Sequence, residues 1–222
     1  MLPDLVIFDC DGVLVDTEKR SNEMLADVLT RDGFPMTYAE SRRTFTGRSA
    51  ASIQKMVEAQ SGLDLGADWV DRLHSETEAI FAQGVPAIPG VHAQIERLHA
   101  AGVPFCVASS GLVSKMRITL GVTGLLPLLG DVLFSASMVE NGKPAPDLFL
   151  HAARSMGHEP AGCVVVEDSV PGVLAAVAAG MRAVGYAGDP ETSAEALRAA
   201  GADVIHDMAA LGGMLGLSPA AA

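Results

Sequence analysis

Aromatic side chains, basic side chains and cysteines are all scarce in this chain of 222 residues. Phe, Trp and Tyr make up only 5% of the residues, so a folded interior must be built from aliphatic and Met side chains. Lys and Arg number 15 against 27 Asp and Glu, which gives a formal net charge of −12. Because such a surface repels phosphate backbones, we expect no nucleic-acid partner.

Long hydrophobic runs and paired cysteines are also missing. No apolar run approaches the length of a membrane span, and no basic segment precedes the short apolar run Leu5–Phe8, as it would in a signal peptide. The three cysteines, Cys10, Cys106 and Cys163, form no Cys-x-x-Cys pair, and each lies in or beside an apolar stretch. We therefore expect no membrane association, buried thiols rather than disulfides or a zinc site, and a cytoplasmic location.

Aliphatic residues are abundant, and their order along the chain predicts the fold. Short apolar runs rich in β-branched residues recur, and helical periodicity fills the intervals between several of them. Unbroken hydrophobicity is typical of parallel strands that are covered on both faces. The sequence therefore predicts an α/β fold with a doubly wound parallel sheet. The predicted strands are Leu5–Phe8, Val103–Ala108, Val132–Phe134, Cys163–Val166, Ala183–Tyr186 and Val204–Ile205.

One interval breaks this alternation of strands and helices. The second predicted strand begins at Val103, and only helical patterns lie between Leu5–Phe8 and that point. A strand–helix–strand unit needs only about 30 residues, so most of this interval is surplus to the sheet. We predict a core domain of residues 1–15 and 88–222, with an inserted α-helical cap domain of residues 16–87.

Chemically reactive side chains follow four of the predicted strands, where ligands bind in a doubly wound sheet. They are Asp9-Cys10-Asp11-Gly12, Ser109-Ser110, Lys143 and Glu167-Asp168. Taken singly, each is also compatible with a hydrophilic turn, a solvated lysine or a helix cap. Together, two acidic pairs, hydroxyl groups and one lysine at the mouth of a single sheet are typical of a Mg²⁺-assisted phosphate site.

These motifs, in this order, resemble the haloacid dehalogenase superfamily, in its branch of small phosphatases and phosphoglucomutases with an inserted cap. Asp9–Glu18 is similar to the first family motif, and Ser109 to the second. Lys143 is similar to the third, and Glu167-Asp168-Ser169 with Gly172 to the fourth. The resemblance spans the whole chain. It implies a Rossmann-like core, a Mg²⁺ cofactor and a phosphatase for a small phosphorylated metabolite; we expect a monomer.

The resemblance also implies catalytic roles for individual side chains. Asp9 would be the nucleophile that forms an aspartyl-phosphate. Asp11 would protonate the leaving alcohol and then deprotonate the attacking water. Ser109, Ser110 and Lys143 would hold the phosphate oxygens.

The metal set implied by the resemblance is Asp9, Asp11, Glu167 and Asp168. Asp9 and Asp168 would contribute carboxylates, and Asp11 its backbone carbonyl. Glu167 would support this shell directly or through water.

Substrate choice is expected to depend on the cap. Arg48 lies within Thr46-Gly47-Arg48-Ser49, where related caps place a loop at the site. Its guanidinium is a candidate for binding a substrate carboxylate or a distal phosphate, and a solvated arginine at a helix start is an equally open alternative. Lys115 is a weaker candidate for the same task.

A sugar phosphomutase and a catalytically inactive binding protein of the same fold remain alternatives to the phosphatase. Mutases of this family typically carry a His where this chain has Ser21, and Ser-Lys where it has Gly111-Leu112. Both departures favour the phosphatase. Dehalogenases lack the acidic residue that this chain has at Asp11, which argues against them.

Overall fold

A six-stranded parallel sheet forms the centre of the larger part of the chain. The structure, a computed structural model, describes residues 2–45, 48–130 and 132–217. The strands are β1 (Leu5–Phe8), β2 (Phe105–Ser109), β3 (Leu133–Ser135), β4 (Cys163–Glu167), β5 (Arg182–Tyr186) and β6 (Asp203–Ile205). They lie in the order β3-β2-β1-β4-β5-β6, and all neighbouring pairs are parallel. The predicted doubly wound parallel sheet is confirmed.

The strand order reverses beside β1, and this reversal fixes where a ligand can bind. The chain builds β2 and β3 on one side of β1 and then returns to place β4 on the other side. Phe8 lies opposite Val107 on β2 and Val166 on β4. The loops that follow these strands therefore emerge together at the switch point, where open α/β sheets bind ligands.

Both faces of β1 are covered, which explains its unbroken hydrophobic sequence. Successive residues of a strand point to opposite faces of the sheet. Leu5 and Ile7 pack into one core cluster, whereas Val6 and Phe8 pack into another. All four side chains are fully buried. A polar residue at any of them would have to be buried without water.

The helices begin and end at the residues that the local sequence favours. The helix α9 shows this clearly: its N-cap Ser169 accepts a hydrogen bond from Gly172 N at 3.1 Å, and Gly180 follows its end with φ +74°. In the described part of the chain the α-helices are α1 (Glu18–Arg31), α2 (Tyr38–Phe45), α3 (Ala50–Ser61), α4 (Trp69–Ala82), α5 (Val91–Ala100), α6 (Val113–Val122), α7 (Leu126–Leu129), α8 (Asp147–Met156), α9 (Val170–Ala178), α10 (Ala194–Ala200) and α11 (Leu211–Met214).

The chain divides into two compact units. The sheet unit ends at Asp16 and resumes at Pro86, and the second unit spans Thr17–Val85. The residues at which the chain leaves and re-enters the sheet unit, Asp16 and Pro86, lie next to each other, because Asp16 N donates to Pro86 O at 2.9 Å. The second unit contains α1 to α4 around its own core, where buried Trp69 donates through Nε1 to Asp32 Oδ2 at 2.9 Å.

The three cysteines are free thiols inside the sheet unit. Cys10, Cys106 and Cys163 are at most 1% exposed, which confirms their predicted burial. Burial raises the pKa of Cys163 to about 11, so this thiol is protonated at neutral pH. Among the described residues, no helix is both long enough and apolar enough to cross a membrane.

Candidate active site

Three strand ends and one loop bring the predicted catalytic side chains together. Asp9 follows β1 directly, Ser109 is the last residue of β2, and Glu167 is the last residue of β4. Lys143 comes from the segment between β3 and α8. Its Nζ lies 2.5 Å from Asp9 Oδ1 and 2.7 Å from Glu167 Oε1. The switch point of the sheet therefore carries a lysine between two carboxylates.

Lys143 is buried and surrounded by acceptors. Besides the two carboxylates, Nζ donates to the backbone carbonyl of Ala108 at 3.2 Å. It also lies 5.0 Å from the centroid of the Phe149 ring. The side chain is 5% exposed, against 9% for Asp9 and 1% for Glu167. Because an ammonium group carries three protons, three acceptors compensate this desolvated charge fully.

This burial shifts the pKa values of the pair. Burial raises the pKa of Asp9 to about 7; Lys143 lowers that pKa, but less than burial raises it. The charges of Glu167 and Asp11 raise it further. Burial lowers the pKa of Lys143, but the two carboxylates outweigh burial and raise it above its ordinary value. Lys143 is therefore a cation at neutral pH, and a further cation beside Asp9 would favour the carboxylate form.

Glu167 is held in place by a backbone donor and by the absence of a side chain at Gly172. Its Oε2 accepts from Ser169 N at 2.7 Å, while Oε1 accepts from Lys143. A Cβ atom on Gly172 would lie 1.8 Å from Glu167 Oε1 and 1.9 Å from its Cδ. Only glycine leaves room for this carboxylate, which explains why the fourth motif includes a glycine in the first turn of α9.

Asp168 lies against the loop that carries Asp9 and Asp11. Gly12 in that loop has φ +78°, a conformation that favours glycine. A Cβ atom at Gly12 would lie 2.0 Å from Asp168 Oδ2. The carboxylate of Asp168 therefore occupies the space that any other residue at position 12 would fill.

Asp11 pairs with Lys115, which the sequence alone suggests only as a weak candidate for a substrate contact. Lys115 lies in the first turn of α6, and its Nζ donates to Asp11 Oδ2 at 2.9 Å. Both side chains are 21% exposed. Lys115 follows the second motif by six residues, so proximity to Asp11 comes from the β1–β2 pairing and the start of α6. The sequence signal that could have identified it is a lysine in the first turn of a helix, where a cation is disfavoured.

The loop after β2 places its two serines differently. Ser109 is buried, and its Oγ accepts from Gly111 N at 3.1 Å. Ser110 is exposed. Buried Ser135 on β3 donates through Oγ to Gly111 O at 2.8 Å and thereby anchors the loop. Ser109 thus faces the site from a fixed backbone, and a phosphate contact by either serine stays a prediction.

Arg48 belongs to the second unit. Its side chain is exposed, and its Nε donates to the Thr44 carbonyl at 2.9 Å. Ser49 caps α3 by accepting from Ser52 N at 3.2 Å. Thr46 and Gly47 of the same predicted loop lie outside the described residues. A substrate contact by Arg48 stays a prediction.

The oxygen donors at the switch point fit a hard divalent cation. In the described part of the chain, no three His, Cys, Asp or Glu side chains group as a metal-binding cluster. The implied set does not need three, because it combines the carboxylates of Asp9 and Asp168 with the backbone carbonyl of Asp11. The cradle at Gly12 holds Asp168 against that loop, and carboxylate and carbonyl oxygens are the ligands that Mg²⁺ prefers. Glu167 uses both its oxygens on Lys143 and Ser169, which suits a supporting position.

Comparisons with known proteins agree with this fold and site. A family profile described as haloacid dehalogenase-like hydrolase matches residues 3–180. The chain is 30% identical to the 6-phosphogluconate phosphatase of Escherichia coli over 188 residues, which cover 84% of each protein. A crystal structure of a haloacid dehalogenase family hydrolase from Deinococcus radiodurans, with bound phosphate and sodium, superposes with a TM-score of 0.79 at 34% identity, covering 98% of each chain. A Thermotoga maritima structure with a provisional assignment as β-phosphoglucomutase has a TM-score of 0.78 at 27% identity, covering 96% of this chain and 98% of that one.

The chain belongs to the haloacid dehalogenase-like hydrolases. Relatives in this family are named as phosphatases, and the chain is accordingly a phosphoric monoester hydrolase. The parallel sheet is the core that is expected of that family. The predicted family and class of enzyme are therefore confirmed.

Proposed function

We propose that this protein is a Mg²⁺-dependent phosphatase that hydrolyses a small phosphorylated metabolite through an aspartyl-phosphate on Asp9. The observation that carries the proposal is the buried contact of Lys143 with Asp9 and Glu167 at the switch point of the sheet. A phosphate dianion needs local positive charge, and a carboxylate nucleophile needs no base to activate it once neighbouring cations keep it ionised. Both conditions meet at this one position.

In the first step, an oxygen of Asp9 forms a bond to phosphorus as the ester P–O bond breaks. The departing alkoxide takes a proton from Asp11 and leaves as an alcohol. Lys143 and Ser109 balance the charge of the phosphoryl oxygens during this transfer. Because Lys143 already has three acceptors, binding of the phosphate must replace one of them.

In the second step, water attacks phosphorus and the bond between phosphorus and Asp9 breaks. Asp11, now a carboxylate, takes the proton of that water. Inorganic phosphate leaves, and Asp9 and Asp11 return to their starting forms. The same two side chains therefore serve both half-reactions.

Asp9, the carbonyl of Asp11 and Asp168 would hold the Mg²⁺ ion, with Glu167 supporting them. When bound, Mg²⁺ would neutralise charge on the phosphate and the nucleophile. Without it, the carboxylates of Asp9, Glu167 and Asp168 would repel a phosphate dianion, which among the described site residues Lys143 and Lys115 attract. Activity should therefore depend on the metal.

The substrate class that we propose is sugar phosphates, sugar-acid phosphates or compounds of the phosphoglycolate type. The name of the Escherichia coli relative, a 6-phosphogluconate phosphatase, supports this class. Arg48 is the candidate for a second acidic group on such a substrate, since a guanidinium binds carboxylates in two-point fashion. A cytoplasmic location and a monomeric state belong to the same proposal.

A phosphomutase is the second candidate, and the resemblance to the Thermotoga maritima structure favours it. A mutase must keep water from its aspartyl-phosphate until a sugar hydroxyl arrives. This chain has Ser21 and Gly111-Leu112 in place of the His and Ser-Lys of typical mutases. Phosphorus NMR with β-glucose 1-phosphate and a trace of the bisphosphate separates the two. We expect inorganic phosphate, whereas glucose 6-phosphate accumulating first would favour the mutase.

The decisive experiment is phosphate release from a panel of phosphorylated sugars, sugar acids and phosphoglycolate, with Mg²⁺ and with EDTA. We expect release that stops with EDTA and returns when Mg²⁺ is restored. The matched control is Asp9→Asn, which is nearly isosteric and should lose more than about 10³-fold in turnover while it stays folded. Full activity in EDTA would contradict the metal dependence. Turnover of Asp9→Asn within tenfold of wild type would remove Asp9 as nucleophile.

A further inference from the structure

Lys115 occupies a position that opposes the charge of its own helix. It is the third residue of α6, after the N-cap Leu112. The first turn of a helix carries partial positive charge, so a cation there is disfavoured. The carboxylate of Asp11, 2.9 Å from Nζ, offsets this cost. Burial is the largest single influence and lowers the pKa of Lys115, but the charge and hydrogen bond of Asp11, with Cys10 and Asp9, together raise that pKa above its ordinary value.

The surroundings of this pair are closely packed. A Cβ atom at Gly111 would lie 3.5 Å from Lys115 Cδ, 3.5 Å from Ser109 Oγ and 3.7 Å from Asp11 Oδ2. Three functional side chains therefore meet around the bare Cα of Gly111. The Gly111 carbonyl is tied to buried Ser135, so the point at which they meet is fixed by the sheet.

The two lysines of the site serve different carboxylates. Lys143 contacts Asp9, the proposed nucleophile, whereas Lys115 contacts Asp11. A hydrogen bond to one oxygen of a carboxyl group restricts rotation of the whole group, and so determines where its other oxygen points. A proton relay depends on that direction, because transfer requires heavy atoms within hydrogen-bond reach.

We propose that Lys115 is a positioning residue that orients Asp11 for proton transfer, an inference that rests on the proposed phosphatase function. Lys115, Gly111 and Ser135 all belong to the sheet unit, as Asp11 does. Asp11 is therefore oriented by its own unit. This arrangement suits hydrolysis, in which water must be activated in every cycle.

The test compares leaving groups in the variant Lys115→Met, which keeps the length of the side chain and removes its charge. A sugar phosphate hydrolysed by the wild type needs a proton for its alkoxide, whereas p-nitrophenyl phosphate has a leaving group that needs none. Since a positioned acid contributes about 10²–10⁴-fold, we expect kcat/KM for the sugar phosphate to fall at least about tenfold. For p-nitrophenyl phosphate it should fall less than about threefold. The control is Lys55→Met, the same replacement at an exposed lysine of α3, which should change neither.

A second comparison places Lys115→Met in an Asp11→Asn background. If Lys115 acts through Asp11, its replacement should cost less than about twofold there, because coupled residues are not additive. Equal losses on both substrates, or an undiminished loss in the Asp11→Asn background, would overturn the positioning role. Lys115→Gln replaces Lys115→Met if circular dichroism shows that the latter is unfolded. A wild-type protein that hydrolyses neither substrate would overturn the proposed function itself.

Discussion

Replacing Gly172 by Ala should destabilise this protein, although the same change elsewhere in a helix stabilises. Gly172 lies in the first turn of α9, and its backbone is not in the left-handed region, so propensity alone favours Ala by about 1 kcal/mol. The new Cβ atom would overlap the Glu167 side chain, with Oε1 at 1.8 Å and Cγ at 2.6 Å. The carboxylate must therefore move.

The cost follows from what Glu167 would leave behind. Its two contacts, with Lys143 Nζ and Ser169 N, are both 2.7 Å long and buried. Breaking a buried ion pair from one side costs about 3–5 kcal/mol. Because Lys143 keeps its contact with Asp9, we expect the loss of stability to lie at the lower end of this range. After the propensity gain is subtracted, we expect a net loss of about 2 kcal/mol.

Gly121→Ala is the matched control, because Gly121 also lies within a helix, α6, and a Cβ atom there would meet nothing within 4 Å. We expect Gly121→Ala to be neutral or stabilising by about 1 kcal/mol. Urea unfolding followed by far-ultraviolet circular dichroism measures both, with unchanged slopes as the check. Phosphatase activity of Gly172→Ala should fall as well. Wild-type stability or better in Gly172→Ala would refute the account of Glu167.

Two further replacements test the loops on either side of Asp9. Gly12→Ala combines a left-handed φ of +78° with a Cβ atom 2.0 Å from Asp168 Oδ2. We expect the Mg²⁺ concentration for half-maximal activity to rise at least about tenfold, because displacing one carboxylate ligand costs more than 1.4 kcal/mol; an unchanged metal titration would remove Asp168 from the metal shell. Ser135→Ala deletes the 2.8 Å hydrogen bond to Gly111 O and should cost about 1 kcal/mol in urea unfolding, with a higher KM as the loop of Ser109 loosens. An unaltered KM would show that this bond does not organise the loop.

The sheet could be predicted closely because its strands are short, apolar and covered on both faces. The strand predicted at Leu5–Phe8 is found at those residues, and the one predicted at Val103–Ala108 begins two residues later, at Phe105. Val103 and Pro104 are apolar for a different reason: they lead into the strand, and Val103 is buried in the core. An apolar run shows which residues are buried. It shows where a strand begins or ends only if a turn begins at the same residue.

The contacts within the site were beyond the sequence pattern. The resemblance grouped Asp9, Lys143 and Glu167, but it did not show that both oxygens of Glu167 are engaged by Lys143 and Ser169. Nor did it connect Lys115 to Asp11, which are 104 residues apart and meet only through strand pairing. Such contacts depend on topology and on side-chain direction, and neither is encoded in local periodicity.

Chemical trapping of the intermediate tests the central claim, that Asp9 carries the phosphoryl group, most directly. Asp11→Asn should form the aspartyl-phosphate from p-nitrophenyl phosphate, whose leaving group needs no acid, and then hydrolyse it slowly for lack of a base. Borohydride reduces an acyl phosphate to an alcohol, so mass spectrometry of the quenched and reduced protein should find homoserine at position 9. Reduction at any other carboxylate, with position 9 unchanged, would contradict the account.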